Sequence, residues 1–245
     1  MGVLAVALAA CGGDEGTRQA RQPTPIDPAT TGTVEVAVRF EGTPPAMKPL
    51  NMSSVAECAA AHPTPVLAGD ALVVDGKVEN AFVWITAGLG DLVFAVPTTP
   101  VVIDQVGCLY VPRVVGAQVG QPVEFRNSDA MLHNVRGRPE HSSGWNVSLA
   151  RQGSERTLRV EKPEVAISLR CDVHPWMQGW LGVVDHPFFG VTGPDGRVTL
   201  RGVPAGTYTV GAWHERFGTR DATASVTAGG SAQVAVAFSA AGAAN

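Results

Sequence analysis

Between residues 170 and 180 the chain reads Arg170-Cys171-Asp172-Val173-His174-Pro175-Trp176-Met177-Gln178-Gly179-Trp180. The spacing Cys171-x-x-His174-x-x-Met177 puts a thiolate, an imidazole and a thioether into one short loop. Thiolate and thioether are soft donors that suit Cu(I), while imidazole serves both oxidation states of copper. Two imidazoles, one thiolate and a long axial thioether make a blue-copper site. A tight loop cannot surround a metal alone, so the second imidazole must come from a distant segment. His133, in Asn127-Ser128-Asp129-Ala130-Met131-Leu132-His133-Asn134, is the candidate. Zinc is a competing metal, but it rarely takes a thioether and wants a fourth N, O or S donor. A buried structural cysteine beside an unrelated His and Met is the other alternative.

The element that must deliver the thiolate is Val165-Ala166-Ile167-Ser168-Leu169-Arg170-Cys171. Val165, Ile167 and Leu169 alternate with smaller or polar residues. A strand has period two, so Cys171 is expected on the same inward face as those three.

A chain of 245 residues is long enough for one or two domains with their own cores. Gly 28 and Pro 18 are high for a helical protein, and no long helical periodicity runs through the sequence. The expected class is all-β. A net charge of −4 carries no nucleic-acid footprint, so no nucleic-acid partner is expected.

The cysteines are Cys11, Cys58, Cys108 and Cys171. Cys11 closes Leu8-Ala9-Ala10-Cys11 after an apolar run from Val3 that reads as the core of an export signal. This resembles the lipobox of bacterial lipoproteins, which implies a lipidated Cys11, a membrane anchor and a periplasmic location. With Cys11 and Cys171 assigned, Cys58 and Cys108 remain as an even pair in an oxidising compartment. A disulfide between them is expected, two inert buried thiols being the alternative.

Residues 12–32 are polar and rich in Gly, Thr and Pro, the composition of a flexible tether. Thr33 to Phe40 alternates as a strand. Ser54-x-x-Glu57 has the capping-box pattern of one short helix, and Asp75-Gly76 marks a hairpin turn. Strands are expected over 80–86, 101–103, 109–111, 123–127, 156–160, 164–169 and 179–184. After Asp185-His186-Pro187 further strands fall at 197–201, 207–213 and 232–238. Many short strands separated by turn signals mean a sandwich or barrel.

Tyr110-x-Pro112, then Val119-Gly120-Gln121-x-Val123-x-Phe125-x-Asn127-x-Asp129, His133-Asn134 and Cys171-x-x-His174-x-x-Met177 together resemble the cupredoxins. The ligand loop is most similar to that of amicyanin. Residues 33 to about 217 are similar to bacterial cupredoxin-like proteins of the methylamine-utilisation type, including Asp104-Gln105-x-Gly107-Cys108 and Trp213-His214-Glu215. The tail resembles a carboxypeptidase regulatory-like β-sandwich. The resemblance implies a Greek-key cupredoxin sandwich over 33–186 with an N-terminal β extension, and a small antiparallel sandwich over 187–245, following a lipoprotein signal over 1–11. Whether the strands before residue 87 join the cupredoxin sheet or the tail stays open. The resemblance further implies one copper held by His133, Cys171, His174 and Met177, with Asn134 fixing the ligand loops. It implies single-electron transfer with a redox protein of cytochrome or dehydrogenase type, not catalysis. His174 is expected at the solvent edge, ringed by an apolar docking patch of Pro175, Trp176, Met131 and Leu132.

A copper-holding or delivery protein is the alternative function. A multicopper enzyme is disfavoured, because type 1 copper coupled to a catalytic centre goes with a His directly beside the ligand Cys, whereas Arg170 and Asp172 flank Cys171. His62, His141, His186 and His214 are read as solvated or hydrogen-bonded loop residues.

Overall fold

The computed structural model describes residues 21–240; the signal run and Cys11 lie outside the described residues, as do residues 12–20 of the expected tether. What it describes is nearly all β, as the alternation predicts: four sheets form two sandwiches, with one short α-helix at Ala56–Ala60 and a single 3-10 turn at Pro28–Thr30.

The first sandwich carries the ligand candidates. One of its sheets runs Trp145–Leu149, His133–Gly137, Glu164–Arg170, Gln178–Val184, Val114–Gln118, and the other Glu155–Leu158, Val123–Asn127, Val101–Val106, Leu109–Val111. Their facing side chains, among them Ile103, Phe125, Val135, Leu149, Ile167, Leu169 and Leu181, form one buried cluster that also contains Cys171 and Met177. Alternation along each strand produces this cluster, since every second side chain points inward. Val165 departs from the expectation. Ala166 has φ 71° and the register against the neighbouring strand slips between Glu164 and Ile167. The extra residue of this bulge turns Val165 away from Ile167, toward the second sandwich.

The second sandwich corrects the expected domain boundaries. Thr31–Glu41 pairs antiparallel with Arg197–Pro204 and parallel with Ser231–Ser239. Phe82–Ala87 lies between Phe189–Val191 and Gly206–His214, with Gly218–Val226 at the edge. The strands before residue 87 therefore build the C-terminal sandwich instead of extending the 33–186 unit, and this sandwich has its own core of Val34, Val36, Val38, Ile85, Val210, Phe217 and Phe238. The Asp75-Gly76 hairpin forms as expected, with left-handed backbone at both residues (φ 51° and 71°). The helix forms too, but its N-cap is Val55 with no side-chain hydrogen bond, so the capping box of Ser54 and Glu57 does not close.

The two sandwiches meet through a glycine-lined slot. Gly116 and Gly182 are paired directly across adjacent strands. A Cβ on Gly182 would stand 2.7 Å from Phe82, and one on Gly116 would stand 2.5 Å from Phe189. The bare backbone thus admits two aromatic rings from the other sandwich. Beside the slot, Arg113 and Glu215 form a two-pronged ion pair at 2.6 and 2.8 Å.

Candidate metal centre

Three of the four expected ligands converge. One donor atom each from His133, Cys171 and His174 lies within 4.8 Å of the others, and all three residues are buried. His133 Nδ1 is 2.9 Å from His174 Nδ1, and Cys171 Sγ is 3.6 Å from His174 Nδ1. A metal about 2.0 Å from imidazole nitrogens and about 2.3 Å from a thiolate spans separations of this size. Met177 is fully buried in the same cluster, and its N–H donates to His174 O at 2.9 Å, closing the loop as a tight turn. Two imidazoles, a thiolate and a nearby thioether are the donor set that suits copper, so the residues present fit that metal.

Each donor has an identifiable support. His133 opens its strand, and its Nε2 donates to Asp129 Oδ2 at 2.9 Å, which leaves Nδ1 to face Cys171 and His174. Asp129 also accepts from the N–H groups of Gly107 (2.7 Å) and Cys108 (2.8 Å), so one carboxylate ties the His133 loop to the 107–108 turn. Asn127 holds that loop from beneath. Its Nδ2 donates to Met131 O and Leu149 O, while its Oδ1 accepts from Asp129 N. Asn134, expected as a loop-fixing residue, accepts at Oδ1 from Asp172 N (2.7 Å) and from Cys171 Sγ (3.3 Å). Its Nδ2 donates to Asn146 and Asp172, and its backbone O accepts the Tyr110 hydroxyl at 2.7 Å. Burial, and secondarily the Cys171 sulfur, raises Tyr110 far above the ordinary phenol range, which keeps that hydroxyl a donor.

Burial also pushes the His133 imidazole below its ordinary value, against the opposing pull of Asp129. His174 is lowered by burial and then by His133. Both rings are therefore held neutral, the state that can donate a lone pair to a metal.

The solvent edge differs from expectation. His174 is only 4% exposed, level with Cys171 at 4% and above His133 and Met177 at 0%, so no ligand edge stands open. Leu50, Met52, Val55, Cys58 and Val66 pack into the cluster that holds Cys171 and Met177. Cys58, in the short helix, is bridged to Cys108 as expected, with Cα atoms 5.6 Å apart, and both sulfurs lie within 4.8 Å of a His174 ring nitrogen. Trp176, expected exposed, is half-buried; its ring is 5.3 Å from that of His174 and its Nε1 donates to Cys108 O at 3.1 Å. Of the expected docking patch, Leu132 and Pro175 are exposed, while Met131 is half-buried with Sδ turned onto the disulfide. From sequence, Asp129 is only part of the Asn127-x-Asp129 motif, with no role, and the segment near residues 50–66 is tied to the site only through Cys58. An Asp four residues before a candidate ligand His was the available signal for the first.

Among the other histidines, His62 Nε2 contacts Gly107 O at 2.6 Å, beside the site. His186 and His214 are buried in or beside the second sandwich, each accepting a backbone N–H at Nδ1.

No protein-family model matches the chain, and no curated protein sequence matches it. Solved structures similar to part of it are cupredoxins and a copper enzyme. A Cu-containing nitrite reductase from Thermus scotoductus SA-01 is 23% identical over 41% of this chain, with a TM-score of 0.34; the match spans 25% of the reductase chain. An oxidized amicyanin variant is 19% identical over 41% of this chain and 90% of its own, with a TM-score of 0.32. A purple cupredoxin from Nitrosopumilus maritimus is 22% identical over 34% of this chain and 97% of its own, with a TM-score of 0.29.

Proposed function

We propose that this chain is a mononuclear type 1 copper protein that carries single electrons, with the metal held by His133, Cys171, His174 and Met177. The observation that carries the proposal is the convergence of two neutral, buried imidazoles and one buried thiol within 4.8 Å, with Met177 fully buried in the same cluster as Cys171. When bound, copper would supply a Cu(I)/Cu(II) couple at that site. The chain's own contribution is rigidity. Asp129 fixes the His133 ring, Asn134 joins the His133 strand to the Cys171 loop, and the surrounding strands exclude water. A ligand frame that stays put through a change of one charge is what fast electron exchange needs.

Leu132 (45% exposed) and Pro175 offer an apolar landing for a redox protein of cytochrome or dehydrogenase type, and weak redox encounters need under about 1,200 Å² of interface. Export and anchoring through a lipidated Cys11 would set this encounter at a bacterial periplasmic membrane face; Cys11→Ala should release the protein to the soluble fraction.

One observation favours a second reading. At 4% exposure the His174 edge expected to pass electrons is nearly closed, as suits a protein that holds or delivers copper without a redox partner. Cyclic voltammetry of the copper-loaded chain separates the two. A reversible one-electron wave supports the carrier. Tight Cu(I) binding with no reversible wave supports the holder.

A further inference from the structure

The Cys58–Cys108 bridge lies against a third sulfur. Met131 Sδ stands 3.6 Å from Cys58 Sγ and 3.5 Å from Cys108 Sγ, so it faces the middle of the bond. Both cysteines are buried, at 0% and 1% exposure. This trio is separate from the first centre: His174, whose ring nitrogen approaches both sulfurs, is already committed there through Nδ1.

We propose that Cys58, Cys108 and Met131 form a second copper site, selective for Cu(I), that exists only when the bridge is reduced. Two thiolates and a thioether are the soft donors Cu(I) prefers. Sulfur donors about 2.3 Å from a metal lie about 4 Å apart in a trigonal site, so Met131 already sits close to its position. Only the two cysteine sulfurs must separate. The elements that carry them allow it. Cys58 is on a five-residue helix whose N-terminus has no side-chain cap. Cys108 is held independently of the bridge: Asp129 takes the N–H groups of Gly107 and Cys108, His62 contacts Gly107 O, and Trp176 donates to Cys108 O.

The chemistry balances with a named reductant. A dithiol passes two electrons and two protons to the bridge and becomes a disulfide itself, leaving Cys58 and Cys108 as thiols. A phosphine does the same by taking up the oxygen of one water. Cu(I) then displaces both thiol protons and bonds both sulfurs with no change in its own oxidation state. The chain would then hold one copper when oxidised and two when reduced, its capacity set by the thiol poise of its surroundings.

The proposal does not depend on the function of the first centre, and the test keeps the two apart. The full chain bearing Cys171→Ser is prepared oxidised and phosphine-reduced, the phosphine is removed, and Cu(I) is titrated anaerobically against a chromophoric chelator. The expected result is one tightly held Cu(I) in the reduced protein and none in the oxidised. Adding Cys58→Ser should abolish that copper, and adding Met131→Leu should weaken it at least tenfold. Reduced protein that binds no Cu(I), binds it equally well with Cys58→Ser, or loses its far-ultraviolet circular dichroism on reduction would overturn the proposal. The bridge would then be a structural staple only. An oxidised wild-type chain that binds no copper would instead overturn the first centre and leave this one standing.

Discussion

Replacing Asp129 by alanine removes one carboxylate with two jobs. It accepts from His133 Nε2 at 2.9 Å, and it accepts from the Gly107 and Cys108 N–H groups at 2.7 and 2.8 Å. Loss of the contact behind a ligating imidazole typically lowers metal affinity about 10- to 100-fold, or roughly 1.4–2.7 kcal/mol. Loss of the turn contacts acts on the apo fold. Hydrogen bonds to a charged group contribute about 1.5–3 kcal/mol each. The Asp129 side chain is 14% exposed, so water recovers part of both; a net destabilisation of about 2–4 kcal/mol is expected. Asp129→Asn is milder, because it removes the charge but keeps one oxygen, which at the Oδ2 position can still accept from Cys108 N–H and His133 Nε2 while the Gly107 contact to Oδ1 is lost. The assays are Cu(I) affinity by chelator competition and urea unfolding of the apo protein. Asp129→Ala should lose on both counts, and Asp129→Asn less on each. Copper affinity within twofold of wild type in Asp129→Ala would refute the claim that this carboxylate positions His133.

Two further outcomes follow from the second sandwich and its junction with the first. Gly182→Val places side-chain atoms where Phe82 already sits, with the Cβ alone 2.7 Å from its ring. Overpacking of this kind costs about 1–3 kcal/mol or more, read by urea unfolding, and unchanged stability would mean the two sandwiches do not depend on this slot. His214 is 1% exposed and stacked on Phe217 at 4.3 Å, and burial pushes it from 6.5 down to about 4. Between those values the unfolded chain binds more protons than the folded one. Stability is therefore full above about pH 6.5 and falls by roughly 3 kcal/mol as pH drops toward 4. His214→Phe should flatten that part of the stability–pH profile; a profile identical to wild type would remove the assignment.

The chemistry of the centre was more legible than its surroundings. Cys171, His174 and Met177 are fixed by local spacing, and period-two alternation put Cys171 at the end of a core-facing strand, where it is. His133 follows from donor type alone. Local pattern could not say which strands pair. Thr33 to Phe40 reads as a strand from its alternation, but its partners, Arg197–Pro204 and Ser231–Ser239, lie more than half the chain away. Five strands of the first and second sandwiches, Val114–Gln118, His133–Gly137, Trp145–Leu149, Phe189–Val191 and Gly218–Val226, went unread. The first follows closely on Pro112, the next two contain or adjoin glycine and polar residues, and the last carries charges on its outer face. The burial of His174 was invisible for a related reason. The segment near residues 50–66, which brings Cys58 within 4.8 Å of a His174 ring nitrogen and packs into the neighbouring cluster, has little periodicity to betray a buried face. Only the expected disulfide pointed there, since a bridge to Cys108 must bring Cys58 to the strand Leu109–Val111 and so to the site's edge.

The most direct test of the copper centre is the visible spectrum and metal content of the oxidised chain after anaerobic loading and oxidation, set beside Cys171→Ser. The expected result is one copper per wild-type chain with an intense thiolate-to-Cu(II) charge-transfer band, and a folded Cys171→Ser protein in which that band is gone. A wild-type chain that takes up zinc alone, or binds Cu(II) without developing colour, would contradict the account.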